Sequence, residues 1–183
     1  MRSLLSLLVL STAVFAPAVC ASANMDQGPV SKLEKEVRHE LVMLPYYSVF
    51  DDLTFEVNGS TVILNGKVTK PALKDDAGKV VKNIEGVERV DNRIEVLPLS
   101  PNDDRIRAAT FRAVYSALQL NRYALQAVPP IHIIVENGNV TLEGVVANSV
   151  DRDVANLQAQ HVSGVFSVTD HLRVEEGPTG KGK

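Results

Sequence analysis

Apolar residues recur along this chain in two rhythms, and the same succession of rhythms is written twice. Leu33, Val37, Leu41 and Leu44 stand at helical spacing and predict a helix over about 31–44. Val57, Val62 and Leu64 then alternate with polar residues around Asn58-Gly59, the pattern of a hairpin with one buried face. Leu73, Ala77, Val80 and Ile84 return to the helical period, Gly86 takes the place of a helix C′ residue, and Arg93–Leu97 reads as a closing strand. The second pass begins with Ile106, Thr110, Phe111, Val114 and Leu118, predicting a helix over about 105–122 with Asn102 or Asp103 as its N-cap. It continues through a hairpin at Asn137-Gly138 with Val140 and Leu142, a helix on Val150, Val154 and Leu157, Gly164, and a strand at His171–Val174.

The two passes superpose at an offset of 78: VNGSTVILNGKV (57–68) lies on VENGNVTLEGVV (135–146), and Gly86, Val87, Val90 and Ile94 lie on Gly164, Val165, Val168 and Leu172. That many matches at one offset indicate a tandem duplication. The predicted fold class is α+β, two αββαβ domains over 31–98 and 103–175. Each is a small mixed three-stranded sheet with two helices on one face, and each strand–helix–strand crossover is expected to be right-handed. Leu97–Asp103, with two prolines, reads as a short stiff connector, and 176–183 as a low-complexity, disordered tail.

The N-terminus follows a different pattern. Arg2 precedes an apolar run from Leu4 to about Ala16, and Ala21-Ser22-Ala23 supplies a signal-peptidase motif, so 1–23 reads as a cleaved export signal with a mature start at Asn24. The lone cysteine, Cys20, follows Pro17-Ala18-Val19, a poor lipidation sequence, which favours soluble periplasmic export over acyl anchoring. Without 1–23 the chain would carry 18 basic and 22 acidic residues, mildly acidic and unsuited to general polyanion binding.

Candidate chemistry is sparse. His39, His132, His161 and His171 show no metal-ligand spacing and read as surface or cap histidines; HExxH fails because position 43 is Met. Asp51-Asp52, Asp75-Asp76 and Asp103-Asp104 are adjacent pairs whose side chains diverge, unlike a converging acid/base pair, and the last two suit helix first turns. No nucleophile elbow or phosphate loop occurs, and the aromatics do not interleave with basic clusters as a nucleic-acid platform requires. The expectation is a protein without enzymatic activity, cofactor or metal, and without nucleic-acid or small-molecule substrate partners.

The repeat resembles the BON domain. The run Val-x-x-Asn-Gly-x-Val-x-Leu-x-Gly-x-Val, a helix, then Gly-Val-x-x-Val-x-Asn/Asp appears as VENGNVTLEGVV with SGVFSVTDHLRVE, and as VNGSTVILNGKV with EGVERVDNRIEVLP. The resemblance implies an exported envelope protein without catalysis, interacting with phospholipid and preserving the envelope under stress. One asymmetry between the copies suggests where. The second copy's first helix carries Arg105, Arg107, Arg112 and Arg122 with no acid over 105–122, whereas the first copy's is charge-balanced. On a helical wheel Arg105 and Arg112 lie opposite the apolar stripe with Tyr115 and Arg122 along one edge, suiting an anionic phospholipid surface or another anionic partner. The same face also reads as a solvated surface paired with acids elsewhere. LPYYSVF (44–50) reads as core closing a helix-to-strand connection, or as a patch in which Tyr46 and Tyr47 meet a partner or the other domain. A protein–protein adaptor of the envelope is the alternative to lipid binding.

Overall fold

The computed structural model describes residues 29–126 and 128–175. The export-signal, Cys20 and C-terminal-tail expectations fall outside these residues. Two αββαβ units follow one another. The first comprises α1 (Pro29–Val42), β1 (Asp52–Asn58), β2 (Thr61–Val68), α2 (Pro71–Lys82) and a closing strand in two pieces, β3 (Arg89–Asn92) and β4 (Glu95–Val96). The second comprises α3 (Pro101–Ser116), a 3-10 turn (Asn121–Leu125), β5 (Ile131–Glu136), β6 (Asn139–Val146), α4 (Ser149–Gln160) and β7 (Ser167–Val174). Each hairpin is antiparallel, and each closing strand pairs parallel with the hairpin's second strand. The α+β duplication is therefore as expected, with separate cores around Leu64 and Leu73 in one unit and Leu142 and Ile133 in the other.

Local chemistry explains the boundaries. The Ser100 hydroxyl accepts the Asp103 N–H at 3.2 Å and Pro101 occupies the first turn, so Ser100 caps α3 in place of Asn102 or Asp103. That helix ends at Ser116, not 122, because Ala117 turns extended. The hairpins share one register at the 78-residue offset but differ in turn type. Asn137 (φ +52°) and Gly138 (φ +79°) are both left-handed, the requirement of a type I′ turn. The first turn is centred on Gly59-Ser60, between Asn58 and Thr61, and only Gly59 (φ +63°) is left-handed, as in a type II′ turn. Gly86 and Gly164 are not helix C′ residues: they sit beyond the helix ends, at φ +93° and +94°, in turns closed by Val87 N–H to Ile84 C=O and Val165 N–H to Val162 C=O.

The repeat offset predicts α4's buried face better than hydrophobicity does. Leu73, Ala77 and Val81 bury α2, and the residues 78 positions on, Asp151, Ala155 and Ala159, bury α4. Val150 and Leu157 of the expected stripe are exposed instead. Asp151 thus occupies a position where its twin is leucine.

The units meet through the connection that follows α1. Val49 lies in the second unit's core with Phe50 packed against it, and the Val49 C=O accepts the Ile133 N–H at 2.8 Å. Asp51, fully buried, secures this excursion by accepting from Ser48 N–H and Oγ and from Thr69 N–H and Oγ1, all within 3.1 Å. The Lys67 ammonium donates to Glu136 at 2.5 Å across the junction. A cleft of about 410 Å³ lies between the sheets, lined on one side by Asp52 and Lys67 and on the other by Glu143 and His171. Burial and the neighbouring Glu143 push the Asp52 carboxyl up to about 6, against the pull of Arg173. His171 Nδ1 lies 2.6 Å from Glu143, which raises its pKa.

Two outcomes follow from this architecture. A Cβ on Gly144 (φ +120°) would stand 1.9 Å from the Pro130 carbonyl oxygen, whereas one on Gly59 would meet nothing within 4 Å. Gly144→Ala should cost roughly 3 kcal/mol or more in urea unfolding, and Gly59→Ala roughly 1 kcal/mol; equal costs would show that contact, not backbone conformation alone, had been misjudged. The second outcome concerns Asp52. Its folded-state pKa lies above the ordinary carboxylate value, so its charge destabilises the fold above about pH 6, and that penalty disappears below about pH 4. Asp52→Asn should therefore stabilise by about 1 kcal/mol at pH 7.5, allowing for partial solvent screening, and by nothing at pH 4. A stability difference that does not change with pH would contradict the assignment.

Candidate functional site

α3 is the element on which the arginine hypothesis rests, and its surroundings divide the candidate residues into two sets. One side of the helix is spent on the outer edge of β5. Pairing with β6 turns the backbone N–H and C=O of Ile131, Ile133 and Val135 outward. The Tyr115 hydroxyl donates to the Ile131 C=O at 2.6 Å and accepts its N–H at 3.2 Å. Arg107 Nη2 donates to the Val135 C=O at 2.6 Å, and its Nη1 pairs with Asp104. The Asp103 carboxylate accepts the N–H groups of Asn137 and Gly138, at 3.0 and 2.9 Å, securing the hairpin tip. Asp103, Arg107, Phe111 and Tyr115 form one i, i+4 ridge along the helix.

Tyr115 is accordingly 6% exposed and is not available at a membrane edge. Burial raises its phenol pKa, as it does for Tyr47. Arg122 is likewise engaged. It lies in the 3-10 turn rather than on α3, pairs with the buried Asp151 carboxylate, and rests 4.9 Å from the Tyr123 ring centroid. Tyr123 Oη donates to the same Asp151 carboxylate at 2.6 Å and accepts the Ala147 N–H at 2.8 Å. Removing Arg122 would leave a buried carboxylate short of its cation, so its role is architectural.

Arg105 and Arg112 remain outward, two turns apart on the opposite side of α3. Arg105 donates to the Asn102 side chain at 2.8 Å, and Arg112 has no hydrogen-bond or ion-pair partner among the described residues. Beyond the end of the helix, Leu118 and Leu125 are 86% and 88% exposed. Helical spacing predicts Leu118 in the apolar stripe; the early stop at Ser116 puts it in solvent. Two cations are therefore exposed along α3, and two aliphatic side chains are exposed beyond its end.

The aromatic run also separates. Tyr47 stacks on His132, ring centroids 5.6 Å apart, at the junction between the units. His132 is not a surface or cap residue: burial holds its pKa down and the ring neutral against the pull of nearby backbone carbonyls and carboxylates. Tyr46, 68% exposed at φ +72°, carries the Lys70 ammonium 4.5 Å from its ring centroid. Among the described residues no group of His, Asp and Glu has the geometry of a metal site, and no helix is long and apolar enough to cross a membrane.

Comparison with known proteins gives these features a family context. The BON domain model matches residues 29–98 and again 103–176. A relative from Escherichia coli (strain K12), osmotically-inducible protein Y, is 30% identical over 126 residues, covering 68% of this chain and 62% of the relative's length. The C-terminal domain of CdsD, the structural protein of the type III secretion system of Chlamydia trachomatis, aligns over 78% of this chain and 96% of its own, at 13% identity and a TM-score of 0.31. A second CdsD structure aligns over 77% and 91% at 14% identity and a TM-score of 0.28. At those scores neither likeness bears on function. The family matches span both repeats, so this chain belongs to the BON domain family as a two-domain member.

Proposed function

We propose that this chain is a non-enzymatic protein of the periplasm that attaches reversibly to anionic phospholipid surfaces and contributes to envelope maintenance under stress. The observation that carries the reading is the pair Arg105 and Arg112, both exposed on the one side of α3 that the fold does not use. Leu118 and Leu125 offer shallow apolar contacts just beyond it. The E. coli relative, named for osmotic induction, supports a stress-related role. Each arginine near an anionic leaflet is worth on the order of 1 kcal/mol, so the attachment is weak, salt-sensitive and reversible.

Co-sedimentation with phosphatidylglycerol-containing vesicles, beside neutral phosphatidylcholine vesicles, tests it. The double variant Arg105→Glu/Arg112→Glu changes local charge by four units and alters only exposed side chains, so folding should survive. Binding to anionic vesicles should fall at least about tenfold, and wild-type binding should fade as salt rises from about 0.1 M to about 1 M. Leu118→Asn/Leu125→Asn should keep the salt-sensitive recruitment but weaken it. Undiminished binding by the double arginine variant would remove α3 as the contact surface.

A further inference from the structure

We propose that the outer edge of β1 is a docking site for an extended polypeptide segment with alternating apolar residues, which adds to the first sheet as another strand. Pairing with β2 turns the N–H and C=O groups of Leu53, Phe55 and Val57 outward, as it does at Ile131, Ile133 and Val135 in the second unit. In the second unit four of those six groups are taken: Tyr115 serves both groups of Ile131, the Val49 carbonyl accepts the Ile133 N–H, and Arg107 donates to the Val135 C=O. In the first unit the Tyr47 hydroxyl reaches the Leu53 backbone, while Phe55 and Val57 have no hydrogen-bond partner on that side among the described residues. The residue corresponding to Tyr115 is Val37, which has no polar group to offer.

Unpaired N–H and C=O groups at alternate residues are the complement of another main chain. The second unit supplies a partial precedent, since its equivalent edge already takes one main-chain acceptor, the Val49 carbonyl of the 48–51 turn. The opposite edges are blunted by their own side chains: Asp170 accepts the Leu172 N–H at 2.9 Å, and Asn92 accepts the Ile94 N–H at 3.2 Å. Beside β1 runs a groove of about 550 Å³, walled by Leu41, Tyr47 and Phe55 on one side and by Pro130 and Val145 of the second unit on the other, with the charged side chains of Arg38, Asp52, Glu143 and Arg173 also lining it. A groove closed by the second unit suits a single strand better than another sheet. Leu53, Phe55 and Val57 are only half-buried, against the full burial of Ile131, Ile133 and Val135, so apolar side chains on the incoming strand have partners to cover.

Isotope-labelled full-length chain, titrated with the blocked hexapeptides acetyl-(Thr-Val)3-amide and acetyl-(Ser-Leu)3-amide, provides the test. With at least one of them, the Phe55 and Val57 amide resonances should shift saturably and their hydrogen exchange should slow about tenfold. The same peptides N-methylated at alternate residues keep their side chains, lose the edge-facing donors, and should not bind. Val57→Pro, tolerable on an edge strand, removes one outward N–H and should weaken binding about tenfold without lowering the fraction folded. Binding should persist in Arg105→Glu/Arg112→Glu, which separates this site from the lipid surface. Absence of saturable shifts at millimolar peptide, or equal binding by the N-methylated peptides, would overturn the proposal. So would concentration-dependent protection of Phe55 and Val57 without peptide, which would assign the edge to a second copy of the chain.

Discussion

A strand at the border of a sheet presents a row of N–H and C=O groups, and burying them unpaired costs several kilocalories per mole across the row. In the second unit β5 is both a border strand and a core strand: Ile131, Ile133, Ile134 and Val135 are all buried. Most of what distinguishes this unit follows from meeting that constraint. α3 gives up a ridge of Asp103, Arg107 and Tyr115 to the edge and the hairpin tip, and the first unit gives up Val49. The junction between the units is therefore made of hydrogen-bonded backbone and buried side chains, with Tyr47 on His132 completing it.

Duplication supplied two equal frames, and divergence solved the same local problems differently. The N–H after the second hairpin strand is taken by the Asp51 carboxylate at Thr69 and by the Tyr123 hydroxyl at Ala147. Where α2 buries Leu73, α4 buries Asp151, which Tyr123, Arg122 and Asn148 all satisfy. A buried carboxylate with that many partners is tolerable; with one removed it becomes costly, which ties the 3-10 turn to α4. Arginines that look alike in the sequence thus have unlike duties. Arg107 and Arg122 are structural, and Arg105 and Arg112 are left exposed.

The cleft between the sheets has its own electrostatic logic. Asp52 and Glu143 approach from different units with His171 and Arg173 close by, so charge at the junction responds to mildly acidic pH. The Tyr47–His132 stack lines the same groove, with burial holding the His132 ring neutral.

The 78-residue register by itself determined the duplication, the αββαβ order and the hairpins. It does so because a repeated backbone needs the same glycines at the same tight turns and the same side chains toward the same core. Gly66 and Gly144 are the clearest case, each at a φ near +120° against a neighbouring carbonyl. Only the tertiary structure decided the fate of the polar residues. Helical spacing can put Tyr115 at the edge of a basic face, but only the position of β5 shows its hydroxyl bonded to Ile131. Arg122 could not be sorted from Arg112 without knowing that α3 stops at Ser116 and that Asp151 lies within reach. Apolar periodicity reports which way a side chain faces along its own element. Hydrogen-bond partnership depends on which other element arrives there, and the partners of these side chains are 16 to 35 residues away in the chain.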